Sequence, residues 1–182
     1  MIEVKINGLF LTQSQASGVI LKELNGDRTL PIIIGEYEAQ SIALGLENIK
    51  PPRPITHDLT LNIIESFGAQ IDRVIVTELK NNTYYAIVQL RRKMKVYEID
   101  SRPSDAIALA VRNNIPIFVA EEVMDKGAYT SEELQEIEKG KVDSGLSRLD
   151  QLKKELEEAV EKEEYEKAAK LRDEIDKLET RQ

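Results

Sequence analysis

The stretch Leu30-Pro31-Ile32-Ile33-Ile34-Gly35 decides how the first part of this chain folds. Its uninterrupted apolar run predicts a strand that is covered on both faces, because a half-exposed strand alternates apolar with polar residues. Gly35 ends the run. From Glu36 the apolar residues take helical spacing until Pro51-Pro52 stops the helix. A strand that leads at once into a helix indicates a domain built from both kinds of element.

Comparable patterns place the other elements of this domain. Apolar alternation and β-branched runs predict strands at residues 2–6, 18–24, 71–79, 84–91, 95–100 and 117–119. The turns 25–27 and 81–82 contain asparagine or glycine, which tolerate positive φ in hairpins. Further helices are predicted to begin at Thr56 and near Pro103, and the first should bury Leu59, Ile63, Ile64 and Phe67. This order predicts an α+β domain over residues 1–128, with a mixed or antiparallel sheet.

The last third of the chain has a different pattern. Residues 129–145 are acidic and interrupted by glycines, and we interpret them as a linker. Residues 146–180 predict a helical hairpin, since two helical stripes are apolar: Leu149, Leu152, Leu156 and Val160, then Ala168, Leu171, Ile175 and Leu178. Two short helices cannot bury both stripes, so we expect a partner helix pair from another protein or a second copy of this chain.

Composition and charge exclude several classes of function. The chain has no cysteine and one histidine, His57, which excludes thiolate nucleophiles, cysteine-built metal sites and paired-histidine sites. The net charge is −8, and residues 1–128 hold 14 basic and 16 acidic side chains. That balance counts against a phosphate-backbone binder. With no basic leader and no apolar run of about 20 residues, the sequence predicts a cytoplasmic protein without a membrane span.

Two segments repeat one pattern: Arg53-Pro54-Ile55-Thr56-His57-Asp58 and Arg102-Pro103-Ser104-Asp105. Each places an arginine and a proline before a hydroxyl and an aspartate at a predicted helix start. One interpretation is helix initiation, because proline suits the first turn and acidic groups there are favoured by the helix dipole. The other adds the arginines as anion clamps and the aspartates as metal ligands or acid–base groups. We expect the two segments to meet at one cleft.

The helix dipole favours particular roles for these side chains. A carboxylate at a helix N-terminus is biased towards ionisation, so Asp58 and Asp105 suit a divalent cation better than proton donation. Asp100 ends a predicted strand and could join them as a metal ligand. His57 is a candidate general base, although a histidine at a helix start is also a common surface or capping residue.

Four separated motifs carry a resemblance to a known family: residues 30–35, Glu38-Ala39, residues 53–58 and residues 100–106. Together they resemble the bifunctional nuclease domain over about residues 1–128. The resemblance implies an α+β fold and nuclease activity on DNA and RNA, helped by a divalent metal such as Mg²⁺ or Mn²⁺. It also implies the site candidates that match the family pattern: Arg53, His57, Asp58, Arg102, Ser104 and Asp105. Of these, Arg53, Arg102 and Ser104 are candidates for substrate binding.

Residues 164–175 resemble a second family, the UVR motif, a helical hairpin of excision-repair proteins and protease regulators. In that family the hairpin pairs with a like hairpin, which implies a UVR-type partner or a homo-oligomer. A rival to the nuclease hypothesis is a non-enzymatic module that binds an anion or nucleotide, or an adaptor acting through the hairpin. The basic cluster Arg91-Arg92-Lys93-Lys95 could meet phosphates or be a solvated turn.

Overall fold

The computed structural model describes residues 1–12, 15–130, 156 and 171–172, and it separates a first unit, Met1–Thr130, from a second, Ser131–Gln182. In the first unit the strands are β1 (Ile2–Leu11), β2 (Ser17–Glu23), β3 (Thr29–Ile34), β4 (Gln70–Lys80), β5 (Thr83–Arg92), β6 (Lys95–Ser101) and β7 (Ile117–Val119). The helices are α1 (Glu36–Leu46), α2 (Thr56–Ser66), α3 (Pro103–Arg112) and α4 (Glu121–Gly127). The predicted α+β class is confirmed.

The strands of this unit form one mixed sheet in the order β3-β2-β1-β7-β4-β5-β6. β4 and β7 are parallel, while the other neighbouring pairs are antiparallel. The predicted turn at Asn81-Asn82 joins β4 to β5, and both asparagines adopt positive φ, at 49° and 56°. β3 and β6 therefore form the two edges of the sheet.

β1 is longer than predicted because it passes through a bulge. The pairing of β1 with β2 shifts register between Ile6 and Gly8, and Gly8 has a φ of 144°. The bulge breaks the apolar alternation at the point where the sequence pattern fades, and the strand then continues to Leu11. α4 was not predicted, since its acidic residues lie in a stretch that resembles a boundary.

Two predictions of burial are wrong. β3 is not covered on both faces, because it lies at the edge of the sheet, where Ile33 is 46% exposed. α2 does not bury the predicted stripe: Leu59, Ile63 and Phe67 are all exposed, and Leu61 is the buried apolar residue of this helix. The helix contacts α3, and Ile64 is the one member of the predicted stripe that is partly buried.

A close contact between α1 and α3 fixes the helix positions that build the candidate site. Gly45 of α1 faces Val111 of α3, and a Cβ added at Gly45 would lie 2.4 Å from the Val111 Cγ2. A side chain at Gly45 would therefore force the Val111 side chain or one of the helices to shift. The helices cover a core of buried aliphatic residues drawn from the sheet and from α3, including Val19, Leu21, Leu30, Val74, Val76, Val88, Ile107 and Val119.

The first unit closes just beyond α4. Tyr129 is buried and exchanges two backbone hydrogen bonds of 2.8 Å with Thr29, so residue 129 contacts the edge strand β3. Residues 131–145 of the predicted linker and the predicted hairpin at residues 146–180 lie outside the described residues, apart from three helical positions, Leu156, Leu171 and Arg172. The hairpin stays a prediction. Within the part of the chain that the structure describes, no helix is long and apolar enough to cross a membrane.

Candidate active site

The two segments that begin with arginine and proline meet where α2 and α3 start. His57 lies in the first turn of α2 and Asp105 in the first turn of α3, and His57 Nε2 is 3.2 Å from Asp105 Oδ1. These residues are 48 positions apart in the sequence, so the fold brings them together. The expected meeting of the two segments is made through this pair.

A serine of α1 holds the other side of the histidine ring. Ser41 Oγ lies 2.9 Å from His57 Nδ1, and Ser41 is 7% exposed. The Arg112 guanidinium, at the end of α3, donates to the same Ser41 Oγ at 3.0 Å. A serine hydroxyl can accept from Arg112 while it donates its own proton to the ring nitrogen. When Ser41 donates in this way, Nδ1 is the acceptor and Nε2 is the nitrogen that donates to Asp105.

Two side chains, Arg102 and His57, form hydrogen bonds with the carboxylate of Asp105. Arg102 Nε donates to Asp105 Oδ2 at 2.8 Å, while the other carboxylate oxygen faces His57. Burial alone would raise the pKa of Asp105, but the hydrogen bonds from Arg102 and His57 outweigh burial and hold that pKa below its ordinary value. Arg102 also donates to Glu38 at 3.0 Å, and its side chain is 66% exposed. The carboxylate is thus ionised, and the Asp105 side chain is one-third exposed.

The His57–Asp105 pair borders a cavity of about 410 Å³ between α2, α3 and the β5–β6 hairpin. Its lining combines apolar side chains with polar and charged ones. The lining residues are Thr56, His57, Thr60, Ile64, Val88, Leu90, Ile99, Asp100, Ser101, Arg102, Asp105 and Leu109. A pocket with a largely apolar lining and a few polar groups is the usual form of a small-molecule or catalytic site.

Asp58 belongs to a different ion pair. Its Oδ1 accepts from Arg112 Nε at 2.8 Å, and its Oδ2 accepts from the Ile55 backbone N–H at 3.1 Å. The second bond satisfies a free amide at the start of α2, which is the helix-initiation role. Asp58 lines a separate cavity of about 300 Å³ with Arg112 and not the cavity of Asp105. The structure therefore joins His57 to Asp105 but does not bring Asp58 beside them.

The three aspartates proposed as metal ligands do not fit a metal as they are arranged. Asp58 and Asp105 are each paired with an arginine, which already balances the carboxylate charge. Asp100 lies on β6 and lines the same cavity as Asp105. Among the described residues, no three acidic or histidine side chains are grouped so that they could hold a metal ion. The expectation of Mg²⁺ or Mn²⁺ stays a prediction.

The remaining candidates differ in exposure. Arg53 is exposed in the loop before α2 and forms no hydrogen bond or ion pair with another described residue. Ser104 is 6% exposed at the start of α3, and it lies between Arg102 and Asp105 in the sequence. An exposed arginine could contact substrate directly, whereas the buried serine has little surface to offer a ligand. Their proposed roles in substrate binding stay predictions.

Sequence reasoning missed Glu38, Ser41 and Arg112 as parts of this site. Glu38 belonged to a quoted motif but had no assigned role. Ser41 sits among the apolar residues of α1, and Arg112 ends an α3 that is otherwise buried on several sides. A polar residue on an apolar helical face is the signal that could have found them. Ser41 and Arg112 are 71 positions apart, so the spacing of residues in the sequence gives no sign that they pair.

Comparison with known proteins gives the family. The family model of the bifunctional nuclease domain matches residues 19–132, and that of the UvrB/uvrC motif matches residues 147–181. An uncharacterized protein of Mycobacterium tuberculosis is 39% identical over 153 residues, covering 78% of this chain and 92% of the relative.

Two plant relatives are named as bifunctional nucleases. Bifunctional nuclease 1 of Oryza sativa subsp. indica is 31% identical over 105 residues, which cover 56% of this chain and 32% of the rice protein. Bifunctional nuclease 2 of Arabidopsis thaliana is 28% identical over 190 residues, with 91% and 56% covered. The matched region contains most of β2, all elements from β3 to α4 and every residue of the described site. This chain therefore belongs to the bifunctional nuclease domain family.

Proposed function

We propose that this chain hydrolyses phosphodiester bonds of DNA or RNA at the cavity bordered by His57 and Asp105. The observation that carries the proposal is the hydrogen-bonded His57–Asp105 pair, which lies beside an exposed arginine, Arg102, that lines the same cavity. An acid–base pair beside a cation is what phosphodiester hydrolysis requires, since a proton must leave the attacking water and the phosphate charge must be held. Family membership supports the same activity.

Arg102 is the residue suited to receive the phosphate. Its guanidinium is two-thirds exposed and already binds two carboxylates, Asp105 and Glu38, in the geometry that arginine uses for oxyanions. A substrate phosphate would compete with Asp105 for this guanidinium. Arg53, on the loop before α2, is a second exposed cation that could contact the substrate backbone.

Displacement of Arg102 would change the basicity of Asp105. Burial raises the pKa of this carboxyl, and the Arg102 hydrogen bond is the largest opposing influence. Once the phosphate engages Arg102, burial prevails and the pKa of Asp105 rises, so the carboxylate becomes a better proton acceptor. Substrate binding would thereby activate the base that the free protein holds in a weakly basic state.

The chemical step then uses groups of this chain. A water oxygen forms the new bond to phosphorus while the bond to the leaving ester oxygen breaks. The proton of the attacking water passes to Asp105, where the His57–Asp105 pair shares it, and solvent in the open cavity protonates the leaving oxygen. Ser41 holds the His57 ring in place by its hydrogen bond to Nδ1.

The metal requirement is a separate proposal. The resemblance implies a divalent cation, but Asp58 and Asp105 are paired with arginines, and no step above depends on a cation. Adding a chelator to an active preparation tests the requirement directly. Activity that disappears in chelator and returns with Mg²⁺ or Mn²⁺ supports a bound cation, and unchanged activity argues against one.

A non-enzymatic anion-binding role is the alternative, and one observation favours it. Both nitrogens of the His57 ring and both oxygens of Asp105 have protein partners, so the free protein presents no unoccupied base to the cavity. In that case Arg102 would hold a nucleotide or phosphate without turnover. Tight binding of an oligonucleotide that is never cleaved would favour this alternative.

A cleavage assay on highly purified protein distinguishes the two. Labelled single- and double-stranded DNA and RNA are incubated with the wild-type chain, His57→Gln and the control Glu78→Gln, whose exposed carboxylate on β4 is remote in sequence from both segments. We expect the control to keep the wild-type rate and His57→Gln to lose roughly 10²-fold or more. Equal rates in all three proteins would exclude His57 from the reaction.

The second region has its own proposed role. We propose that the UVR-matched residues 147–181 pair with a UVR-type hairpin of another protein or of a second copy. Ala169→Glu should disrupt this pairing because it adds bulk and a charge where helices meet at small residues. Light scattering and partner capture, compared with wild type and with a chain truncated before residue 145, test it. Unchanged association in Ala169→Glu would count against the pairing.

A further inference from the structure

The face of the β5–β6 hairpin that lines the candidate site continues beyond the cavity. The cavity lining includes Leu90 of β5 and Ile99 of β6. β5 pairs with β6 without a register shift, and alternate residues of a strand share a face. Leu90 therefore opposes Tyr97 on the cavity side of the hairpin. The next pair on that side is Arg92 with Lys95, so an aromatic ring and then two cations extend this face towards the turn.

The three side chains of this extension are open to a ligand. Tyr97 is 44% exposed, and Arg92 and Lys95 are exposed as well. In the part of the chain that the structure describes, neither of these basic side chains forms a hydrogen bond or an ion pair. Both cations are therefore free to bind an anion, and the aromatic ring beside them can contact the rest of the same ligand.

The acidic residues of the hairpin take the alternate positions. Those of β6 are Glu98 and Asp100, of which only Asp100, far from the turn, borders the cavity. Glu98 accepts from Gln89 Nε2 at 3.3 Å, and Arg91 forms an ion pair of 2.7 Å with Asp72 of β4. The cavity-side positions, residues 86, 88, 90 and 92 of β5 and 95, 97, 99 and 101 of β6, include no acidic residue. A chain with a net charge of −8 thus presents a local cationic surface beside its candidate site.

We propose that Arg92, Lys95 and Tyr97 form a track for single-stranded nucleic acid that leads into the cavity. The two cations hold backbone phosphates, and the ring of Tyr97, between them and the cavity, stacks on an unpaired base. In a duplex the bases are covered by their neighbours, so none is free for the ring. The proposal deepens the proposed function and rests on it for the phosphate that is cleaved, which lies at Arg102.

The length of β6 sets the length of strand that fills the track. Lys95 is six residues from Ser101, which lines the cavity next to Arg102, and a strand rises about 3.3 Å per residue, so the cations lie about 20 Å away. A stacked nucleic-acid strand advances about 3.4 Å per nucleotide and covers this distance with about six nucleotides. An extended strand needs fewer. A twelve-nucleotide strand therefore reaches from Arg102 to Lys95 in either form.

Fluorescence anisotropy of a labelled twelve-nucleotide oligothymidylate tests the phosphate contacts in the full-length chain. Every protein carries His57→Gln, so that cleavage does not shorten the probe. Arg92→Gln/Lys95→Gln is compared with Lys5→Gln/Lys80→Gln, which removes the same charge at exposed positions of β1 and β4. We expect the slope of log affinity against log salt to become less negative by about 1.4 in the track variant, because two phosphate contacts are lost, and to stay unchanged in the control.

Three single variants in the same background test the stacking. Tyr97→Ala should weaken binding of the single strand about 5- to 140-fold, whereas Tyr97→Phe keeps the ring and should bind like the parent. Val96→Ala removes a 54%-exposed side chain on the other face and should also bind like the parent. When the probe is annealed to oligodeoxyadenylate, Tyr97→Ala and Val96→Ala should bind the duplex equally.

Equal salt slopes in the track variant and its control overturn the proposal. So does equal affinity of Tyr97→Ala and Val96→Ala for the single strand, or a loss in Tyr97→Ala that is as large for the duplex. These results are separate from the fate of the proposed nuclease, because binding needs no turnover. The expected binding differences without cleavage by the wild type would leave the track and remove the nuclease, and cleavage without those differences would do the reverse.

Discussion

The side chain of Arg112, on α3, forms hydrogen bonds that hold α1, α2 and α3 together. Its side chain is 9% exposed and its guanidinium donates to Asp58 Oδ1 at 2.8 Å, to the Ser41 carbonyl at 3.2 Å and to Ser41 Oγ at 3.0 Å. It also donates to the Ala108 carbonyl within α3. Arg112→Met keeps the apolar stem but removes every one of these donors.

The expected loss of stability follows from what the variant leaves unpaired. Removing one partner of a buried ion pair costs about 3–5 kcal/mol. Asp58 is 28% exposed, so water can solvate its carboxylate in part, and Ala108 keeps the backbone environment of its helix. We therefore expect the lower end, a free energy of unfolding reduced by about 3 kcal/mol. Asp58→Asn added to Arg112→Met should recover about 1 kcal/mol or more, because no unpaired charge remains.

Urea unfolding followed by tyrosine fluorescence measures these differences in the full-length chain. Five of its six tyrosines precede residue 131, so the signal reports mainly on the first unit. Glu78→Gln is the control for a surface change and should keep the wild-type midpoint. A loss below about 1 kcal/mol in Arg112→Met, or a double variant no more stable than the single one, would refute the reasoning that the buried pair holds the helices together.

Three other variants test the packing and the ionisation of particular side chains. Gly45→Ala should lower the free energy of unfolding by about 1–3 kcal/mol because its Cβ would meet Val111, and Val111→Ala should restore part of the loss in urea unfolding. The pKa of Asp105 is lowered in the folded protein, so its stabilising contribution is present above the ordinary carboxyl pKa of about 3.9 and is lost as pH falls towards the folded value. Asp105→Asn should flatten the acid limb of a stability–pH curve, and an unchanged slope would contradict this. Burial raises the pKa of Tyr84 to about 12, so stability should fall between about pH 10 and 12 as the unfolded phenol ionises, and Tyr84→Phe should reduce that fall in alkaline urea titrations.

The helices and strands were predictable where the pattern of neighbouring residues in the sequence determines them. The apolar run at residues 30–34 predicted β3, and helical spacing from Glu36 predicted α1, since both signals arise from neighbours in sequence. The exposure of Ile33 and of Phe67 was not predictable. It depends on which strand lies at the edge and on which side of α2 meets α3, and both are set by contacts between distant elements.

The same distinction applies to the candidate site. His57 and Asp105 were found because each lies in a motif at a helix start, where the residue types themselves indicate chemistry. Their partners Ser41 and Arg112 were not found, since neither lies in such a motif and the fold alone joins α1 to the end of α3. Asp58 carried the same motif as Asp105, yet its carboxylate caps α2 and pairs with Arg112.

The central claim is that the carboxylate of Asp105, held by His57 and released by Arg102, takes part in phosphodiester cleavage. The most direct test is the single-turnover cleavage rate of a labelled oligonucleotide by purified Asp105→Asn, measured beside wild type and Glu78→Gln at saturating protein. The account predicts that Asp105→Asn binds the oligonucleotide but cleaves it roughly 10²–10⁴-fold more slowly, while Glu78→Gln cleaves at the wild-type rate. Cleavage by Asp105→Asn at the wild-type rate would contradict the account.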